Sequence, residues 1–295
     1  MRNKEPRNLS KEDKNKIIGG TLYLVATPIG NLSDISERAL KTLSEVDFVA
    51  AEDTRNSGKL LAYFGISKPM VSYFEHNKRE RGLVILERLK NGESCALVTD
   101  AGTPAISDPG EDLVVLCAEN GIPVTSIPGC SAVVNALALS ALPTGRFCFE
   151  GFLSTNKNER FSRLNEIKND TRTTIFYEAP HKLQKTLDDI YEVFGDRKIS
   201  LCRELTKLNE EILRTTLTNA IDYYKENAPR GEYVLVIEGV GENAKSEDAF
   251  WKDMTIEAHL DFYISQEMKK MDAIKAVAKD RGVSKSEIYK IVNTD

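Results

Sequence analysis

Long apolar runs are missing from this sequence. No stretch approaches the roughly 20 residues that a membrane helix needs, and the N-terminal MRNKEPRNLSKEDKNKIIGG lacks the apolar core of a signal peptide. Cysteine is sparse and unpatterned: Cys95, Cys117, Cys130, Cys148 and Cys202 are odd in number and include no Cys-x-x-Cys pair. That argues against a disulfide framework or a zinc site, and for buried free thiols in a reducing, cytoplasmic compartment. Histidine is scarcer still, and His76, His181 and His259 stand too far apart for a local metal motif. No metal is expected. A basic surplus is absent as well. The formal net charge of −5 and pI near 5.5 exclude a dedicated whole-surface nucleic-acid binder, leaving room only for a local basic patch.

What is present reads as a soluble α/β chain. Its 295 residues, 41% hydrophobic and 29% charged, suffice for two domains with cores that need no disulfide or metal. TLYLVAT (21–27), DFVAAEDT (47–54), PMVSYFE (69–75), SCALVTD (94–100) and IPVTSIPG (122–129) predict strands that alternate with helical patterns, the first over 34–46. Such alternation implies a parallel sheet with right-handed crossovers. From RFCFEGF (146–152) the pattern changes. Strands at TTIFYEA, KISLCREL and GEYVLVIEG, with helices over 157–168, 182–194 and 215–227, predict a second α/β domain. The plan is a tail at 1–19, domains at 20–143 and 144–241, a polar linker at 240–250 and a helical unit at 250–295. In that last unit an apolar helix, Gly282-Val283-Ser284 and a second helix follow a helix-turn-helix pattern. Lys269, Lys270, Lys275, Lys279, Arg281, Lys285 and Lys290 outweigh its acids, which favours nucleic-acid contact over plain packing.

Chemistry concentrates where the strands end. TPIGN, AEDTR, DAGTPAISDPG and IPGCSA follow strands of one sheet, and ligands of such sheets bind beyond the carboxyl ends of the strands. The DAGTPAISDPG loop has no Walker lysine and no GxGxxG spacing. Recognition led by its backbone suits a neutral or zwitterionic ligand better than a pyrophosphate, and an NAD-linked oxidoreductase ranks last. Ser131 stands where it can cap the following helix. In AEDTR, Glu52, Asp53 and Arg55 allow either an ion pair with a helix cap or a carboxylate that accepts a proton. His76, in FEHN, offers the same choice between a turn residue and a base.

Taken in order, GTLYLVATPIGNLSDISERAL, AEDTR, DAGTPAISDPG, IPGCSA, FYEAPHKL, RELTKLNEE and GEYVLVIEG resemble the tetrapyrrole-methylase-fold methyltransferases. They resemble more closely the ribosomal RNA small-subunit methyltransferase I group, which methylates a cytidine ribose 2′-hydroxyl. The resemblance covers about residues 20–292. It implies a two-domain α/β, class III methyltransferase fold with a C-terminal helix-turn-helix-like domain. It further implies S-adenosylmethionine in the cleft between the α/β domains, a homodimer, and small-subunit (16S) ribosomal RNA or the 30S particle as partner. Carried over, it assigns Pro28, Gly102, Thr103, Ile106, Ser131, Ala132, Tyr177, Leu205, Pro229 and Gly231 to the cofactor. Asp53, ahead of Glu52 and His76, becomes the expected base, and Arg55, Lys78, Arg79, Lys275, Lys279 and Lys285 the expected RNA contacts. Tetrapyrrole enzymes carry a GPGDP-type first loop where this chain has TPIGN, which argues against a porphyrinoid substrate. Two alternatives stand beside this reading: a small-molecule methyltransferase of the same fold, and a non-catalytic RNA-binding assembly factor.

Overall fold

The structure is a computed structural model that describes residues 15–241, 251, 253–266 and 268–292. Residues 1–14 of the expected tail and 242–250 of the expected linker lie outside the described residues.

Strands β1 (Leu22–Val25), β2 (Phe48–Ala51), β3 (Met70–Ser72), β4 (Cys95–Val98) and β5 (Val124–Ile127) run parallel in the order β3-β2-β4-β1-β5. Their side chains alternate between two buried faces. Tyr23, Val25, Val49, Ala51, Ala96 and Val98 pack on helices α1 (Glu37–Glu45) and α2 (Thr54–Tyr63). Leu22, Phe48, Ala50, Cys95 and Leu97 pack on α3 (Lys78–Lys90) and α4 (Gly110–Glu119). The first helix begins at Glu37, later than its apolar spacing predicts, because the Ser36 hydroxyl accepts from Ala39 N at 3.1 Å and sets the cap there. Because β1 and β4 are neighbours, the loops that follow them meet. Thr27 N donates to Gly102 O at 2.9 Å, and Gly102 N donates back to Thr27 O at 3.0 Å.

The second sheet is mixed, in the order β6 (Phe147–Phe152), β7 (Thr173–Glu178), β10 (Tyr233–Ile237), β8 (Lys198–Arg203), β9 (Glu211–Thr216). Only β6 and β7 run parallel. Helices α6 (Lys157–Ile167), α7 (Leu183–Phe194) and α8 (Leu217–Glu226) bury one face. The other face is covered by α5 (Ala132–Leu139), which follows the first sheet yet packs Val133, Ala136 and Leu137 on Ile175, Cys202 and Val236. All five cysteines are free, and Cys130 and Cys148 are only partly buried, unlike Cys95, Cys117 and Cys202. Among the described residues no helix is long and apolar enough to cross a membrane.

Beyond the second sheet, α10 (Lys270–Asp280) and α11 (Lys285–Val292) form the expected pair, and α9 (Ile256–Ser265) joins them around Leu260, Ile274, Val277 and Ile288. One member of the local basic excess turns inward. Arg281 donates to His259 Nδ1 at 3.2 Å and to the carbonyls of Met254 and Thr255 at 2.6 and 3.1 Å, so it holds the helices together instead of facing a ligand. His259 is fully buried, stacked on Trp251, against Tyr263, with Asp280 Oδ2 3.2 Å from Nε2. Burial lowers its pKa, the Arg281 charge adds to that, and Asp280 opposes both. A histidine whose folded pKa lies below its unfolded value contributes stability that is complete above about pH 6.5 and declines as pH falls beneath it. Trp251, the single tryptophan, reports on this cluster directly. Thermal unfolding followed by its fluorescence should shift to lower temperature on acidification, and His259→Gln should remove most of that pH dependence.

Candidate active site

A cavity of about 540 Å³ opens between the two sheets. One wall is the loop from Thr99 to Gly110 at the carboxyl end of β4. Gly102 at φ +88° takes a backbone that side-chain-bearing residues avoid, which brings its peptide groups against the loop after β1. Ala105 and Ser107 adopt the same left-handed region at +67° and +65° without being glycine. Each costs about 1–2 kcal/mol. The Asp108 carboxylate offsets this by accepting from Ala105 N and Gly110 N, both at 2.8 Å. Thr103 Oγ1 donates to Cys130 O at 2.9 Å and ties this loop to the turn before α5. The facing wall comes from the second sheet, where Glu204 (+50°) and Thr206 (+67°) form another strained turn. There Lys207 Nζ bridges Glu204 and Glu232 at 2.8 and 2.7 Å. Strain collected on both walls of one cavity is the pattern of a binding site.

The cavity gathers part of the expected constellation. Gly102, Thr103 and Ile106 line it from the first loop, Ser131 and Ala132 from the start of α5, Tyr177 and Leu205 from the second sheet. Pro28, Pro229 and Gly231 are outside the lining; their chain neighbours Ile29 and, beyond Gly231, Glu232 occupy those places. At Gly231 a left-handed turn (φ +76°) is the local need, with the Glu204 side chain filling the space a Cβ would take. Ser131 holds the N-cap position of α5, but its side chain makes no capping bond.

The two neighbouring carboxylates of AEDTR meet opposite surroundings. Asp53 caps α2 through Arg55 N at 2.8 Å and grips the Arg55 guanidinium at 3.1 and 2.7 Å. That pairing lowers its pKa to about 2, and it does not line the cavity. A carboxylate so well satisfied is a poor proton acceptor, and Arg55 is spent on it. Glu52, the preceding residue, points the other way into the cavity and accepts from Thr99 Oγ1 at 3.1 Å. Its pKa is raised, chiefly by loss of solvent against the cavity wall. The charges of Asp100, Asp108 and Asp53 add to the rise, and the Thr99 bond works against it. His76 is an exposed turn residue set edge-on to Phe74, outside the lining. Lys78 is bridged to Glu75 and Asp112 at 2.7 and 2.6 Å, so its charge is already committed. Arg79 is exposed on α3, and Lys275, Lys279 and Lys285 belong to α10 and α11, none of them on the cavity. Lys275 pairs with Asp272 at 2.8 Å.

Sequence reading missed the sign of the cavity. Glu52, Asp108, Glu178, Glu204 and Glu232 line it, against Lys207 alone among lysines and arginines. These acids come from five separate segments, so no local motif announces them. Such a lining repels phosphate and favours a ligand that carries positive charge.

The profile described as Tetrapyrrole (Corrin/Porphyrin) Methylases matches residues 21–221. A protein of Halalkalibacterium halodurans named Ribosomal RNA small subunit methyltransferase I is 49% identical over 94% of this chain and 96% of its own length. The chain belongs to the ribosomal RNA small subunit methyltransferase I family. A family member from Thermotoga maritima is 46% identical over 99% of its own length, but that match spans only 75% of this chain. Family membership therefore does not require the remaining quarter. Among solved structures, a uroporphyrin-III C-methyltransferase from Thermus thermophilus complexed with S-adenosylhomocysteine matches with TM-score 0.53. It is 15% identical over 73% of this chain and 96% of that one, a likeness of fold.

Proposed function

We propose that this family member transfers a methyl group from S-adenosylmethionine to the 2′-hydroxyl of a cytidine ribose in small-subunit ribosomal RNA, with Glu52 as proton acceptor. The observation that carries the reading is Glu52 itself, a carboxylate of raised pKa on the wall of an acidic cavity.

The residues present suit the cofactor. The cavity volume of about 540 Å³ is in the small-molecule range, and its acidic lining matches a ligand bearing a sulfonium and an ammonium group. When bound, the cofactor supplies an electrophilic methyl carbon. Gly102, whose own N–H and C=O are paired with Thr27, would let the cofactor come close to the backbone, and Thr103 would offer its backbone groups, since its hydroxyl proton is committed to Cys130. Ile106, Ala132 and Leu205 would give apolar contact, with Ser131 and Tyr177 as polar partners. The chain's remaining task is to orient the ribose and to take its proton during attack.

RNA phosphates stay outside the acidic cavity, and a splayed nucleotide is the form that exposes a ribose. Arg79, Lys279 and Lys285 are the proposed phosphate contacts, together with Lys275, whose single pair with Asp272 is solvent-exposed and can exchange. They act in a cytoplasmic homodimer on the 30S particle or its RNA.

The test is tritium transfer from labelled S-adenosylmethionine to unmodified small subunits and to their naked RNA. Label in cytidine ribose, abolished by Gly102→Arg, is the expected result. That substitution forces a side chain onto a φ of +88° and a long cation into the cavity. Deleting residues 251–295 should weaken transfer without ending it. Transfer to neither RNA, with cofactor binding intact, would instead favour a small-molecule acceptor.

A further inference from the structure

The second sheet carries an aromatic side chain that packing does not explain. Phe152, the last residue of β6, is 58% exposed although it lines the cavity. Its place results from a β-bulge. In β6, Phe149 pairs with Ile175 and Gly151 with Phe176, so Glu150 is the extra residue, and Phe152 comes opposite Tyr177. Without the bulge, alternation would put Phe149 and Phe152 on opposite faces. With it, both lie on the face that carries Ile175 and Tyr177. Phe149 and Tyr177 meet edge-on with ring centroids 4.8 Å apart, and Phe152 tilts on Tyr177 at 5.5 Å. The row thus runs from partly buried Phe149 out to Phe152 at the rim.

Gly151 makes the bulge possible and fixes its position. It sits at φ +65°, and a Cβ there would lie 3.0 Å from Ser107 Oγ. Gly151 and Ser107 thus lie close to each other, and each neighbours an exposed apolar side chain: Phe152 after Gly151, and Ile106, 51% exposed, before Ser107. Both line the cavity, together with its acids.

We infer that Phe152 is the stacking surface for the nucleobase of the nucleotide whose ribose enters the cavity. This rests on the RNA reading above and adds a specificity-determining residue to it. The acidic lining keeps phosphates out, so only a neutral base and its ribose gain by entering. Of the three Phe and Tyr rings among the described residues that line the cavity, Tyr233 is buried, Tyr177 half-buried and Phe152 exposed. Phe152 is thus open to a part of the substrate that stays near solvent. A base held on that ring leaves its ribose free to enter the cavity that Glu52 also lines. Stacking accepts any π face, so Phe152 secures one unpaired base, and cytidine selection falls to polar groups around it.

The experiment uses the full chain, unmodified small-subunit RNA or particle, and S-adenosylmethionine. Phe152→Ala should raise the KM for RNA about tenfold to a hundredfold, the range typical of alanine substitution at base-stacking aromatics. Cofactor Kd, measured by calorimetry without RNA, should be unchanged. Phe152→Tyr should restore the KM, and Phe152→Leu, which keeps apolar area but no ring, should not. A raised cofactor Kd with an unaltered RNA KM would overturn the inference and give the ring to the cofactor. Wild-type kinetics in Phe152→Ala would overturn it as well. Failure of the wild-type chain to methylate RNA at all would be a separate result, which removes the RNA reading and this inference with it.

Discussion

Replacing Glu52 with glutamine should lower methyl transfer by roughly 10²–10⁴-fold, the usual contribution of a positioned base, and leave cofactor affinity almost unchanged. The amide that replaces the carboxylate would keep the side chain's shape and an oxygen for the Thr99 hydroxyl, so the cavity wall should survive. What disappears is the capacity to take the ribose proton. The pH profile gives a sharper test. The base works in its ionised form, so the rate rises with pH through the pKa of Glu52. Loss of solvent against the cavity wall, with Asp100, Asp108 and Asp53 nearby, puts that pKa above the ordinary 4.5. The acid limb of the wild-type profile should therefore lie at higher pH than an unperturbed glutamate gives, and the residual rate of Glu52→Gln should lack that limb. Asp53→Asn is the control. Its carboxylate, held at a pKa of about 2 by Arg55, belongs to the helix cap, so this variant should keep most of its rate and an acid limb, moved slightly to lower pH because the Asp53 charge no longer raises Glu52. A large loss at Asp53 with little at Glu52 would reverse the assignment.

The pair Glu52-Asp53 illustrates how far the sequence could be read. The strand and the rim that carry AEDTR follow from local pattern, because a short apolar run that breaks into polar residues marks the carboxyl end of a buried strand. Which carboxylate does chemistry depends on partners at two ranges. Arg55, two residues on, neutralises Asp53, whereas Thr99 and Asp108 reach Glu52 only through the fold. Charge counting failed at Arg281 for the same reason, since its acceptor His259 lies 22 residues away on another helix. Strand β9 escaped detection because EILRTT is a half-buried edge strand without an apolar run. It continues through Thr216, and α8 accordingly starts at Leu217. Phe152 was hidden by the bulge, which changes the face of a residue without changing its type. Local periodicity therefore located the elements and their rim, while the sign of the cavity and the choice of Glu52 as the proposed base needed tertiary contacts.

Removing Asp189 should destabilise the second-sheet unit by about 3–5 kcal/mol, the cost typical of breaking a buried ion pair from one side. Asp189 on α7 meets Arg160 on α6 with Oδ2 2.7 Å from Nε, and the two side chains are only 11% and 5% exposed. Arg160 has further work. Its Nη1 donates to the carbonyls of Ser154 and Thr155 at 2.8 and 3.2 Å, the segment that follows Phe152. In Asp189→Ala the guanidinium stays charged and buried, and two carbonyls cannot balance it. Unfolding by urea, followed by far-ultraviolet circular dichroism, should shift to lower denaturant by the corresponding amount. The paired replacement Arg160→Met with Asp189→Leu separates two sources of the loss. If the penalty is mainly that of a stranded cation, the double variant should recover most of the stability, since apolar residues of similar volume substitute well for buried ion pairs. It should nonetheless raise the KM for RNA, because the Ser154 and Thr155 carbonyls lose the donor that fixes the chain just beyond the cavity rim. A double variant as unstable as Asp189→Ala would mean that the ion pair itself holds α6 against α7. A stable double variant with an unaltered KM would mean that the rim keeps its shape without Arg160.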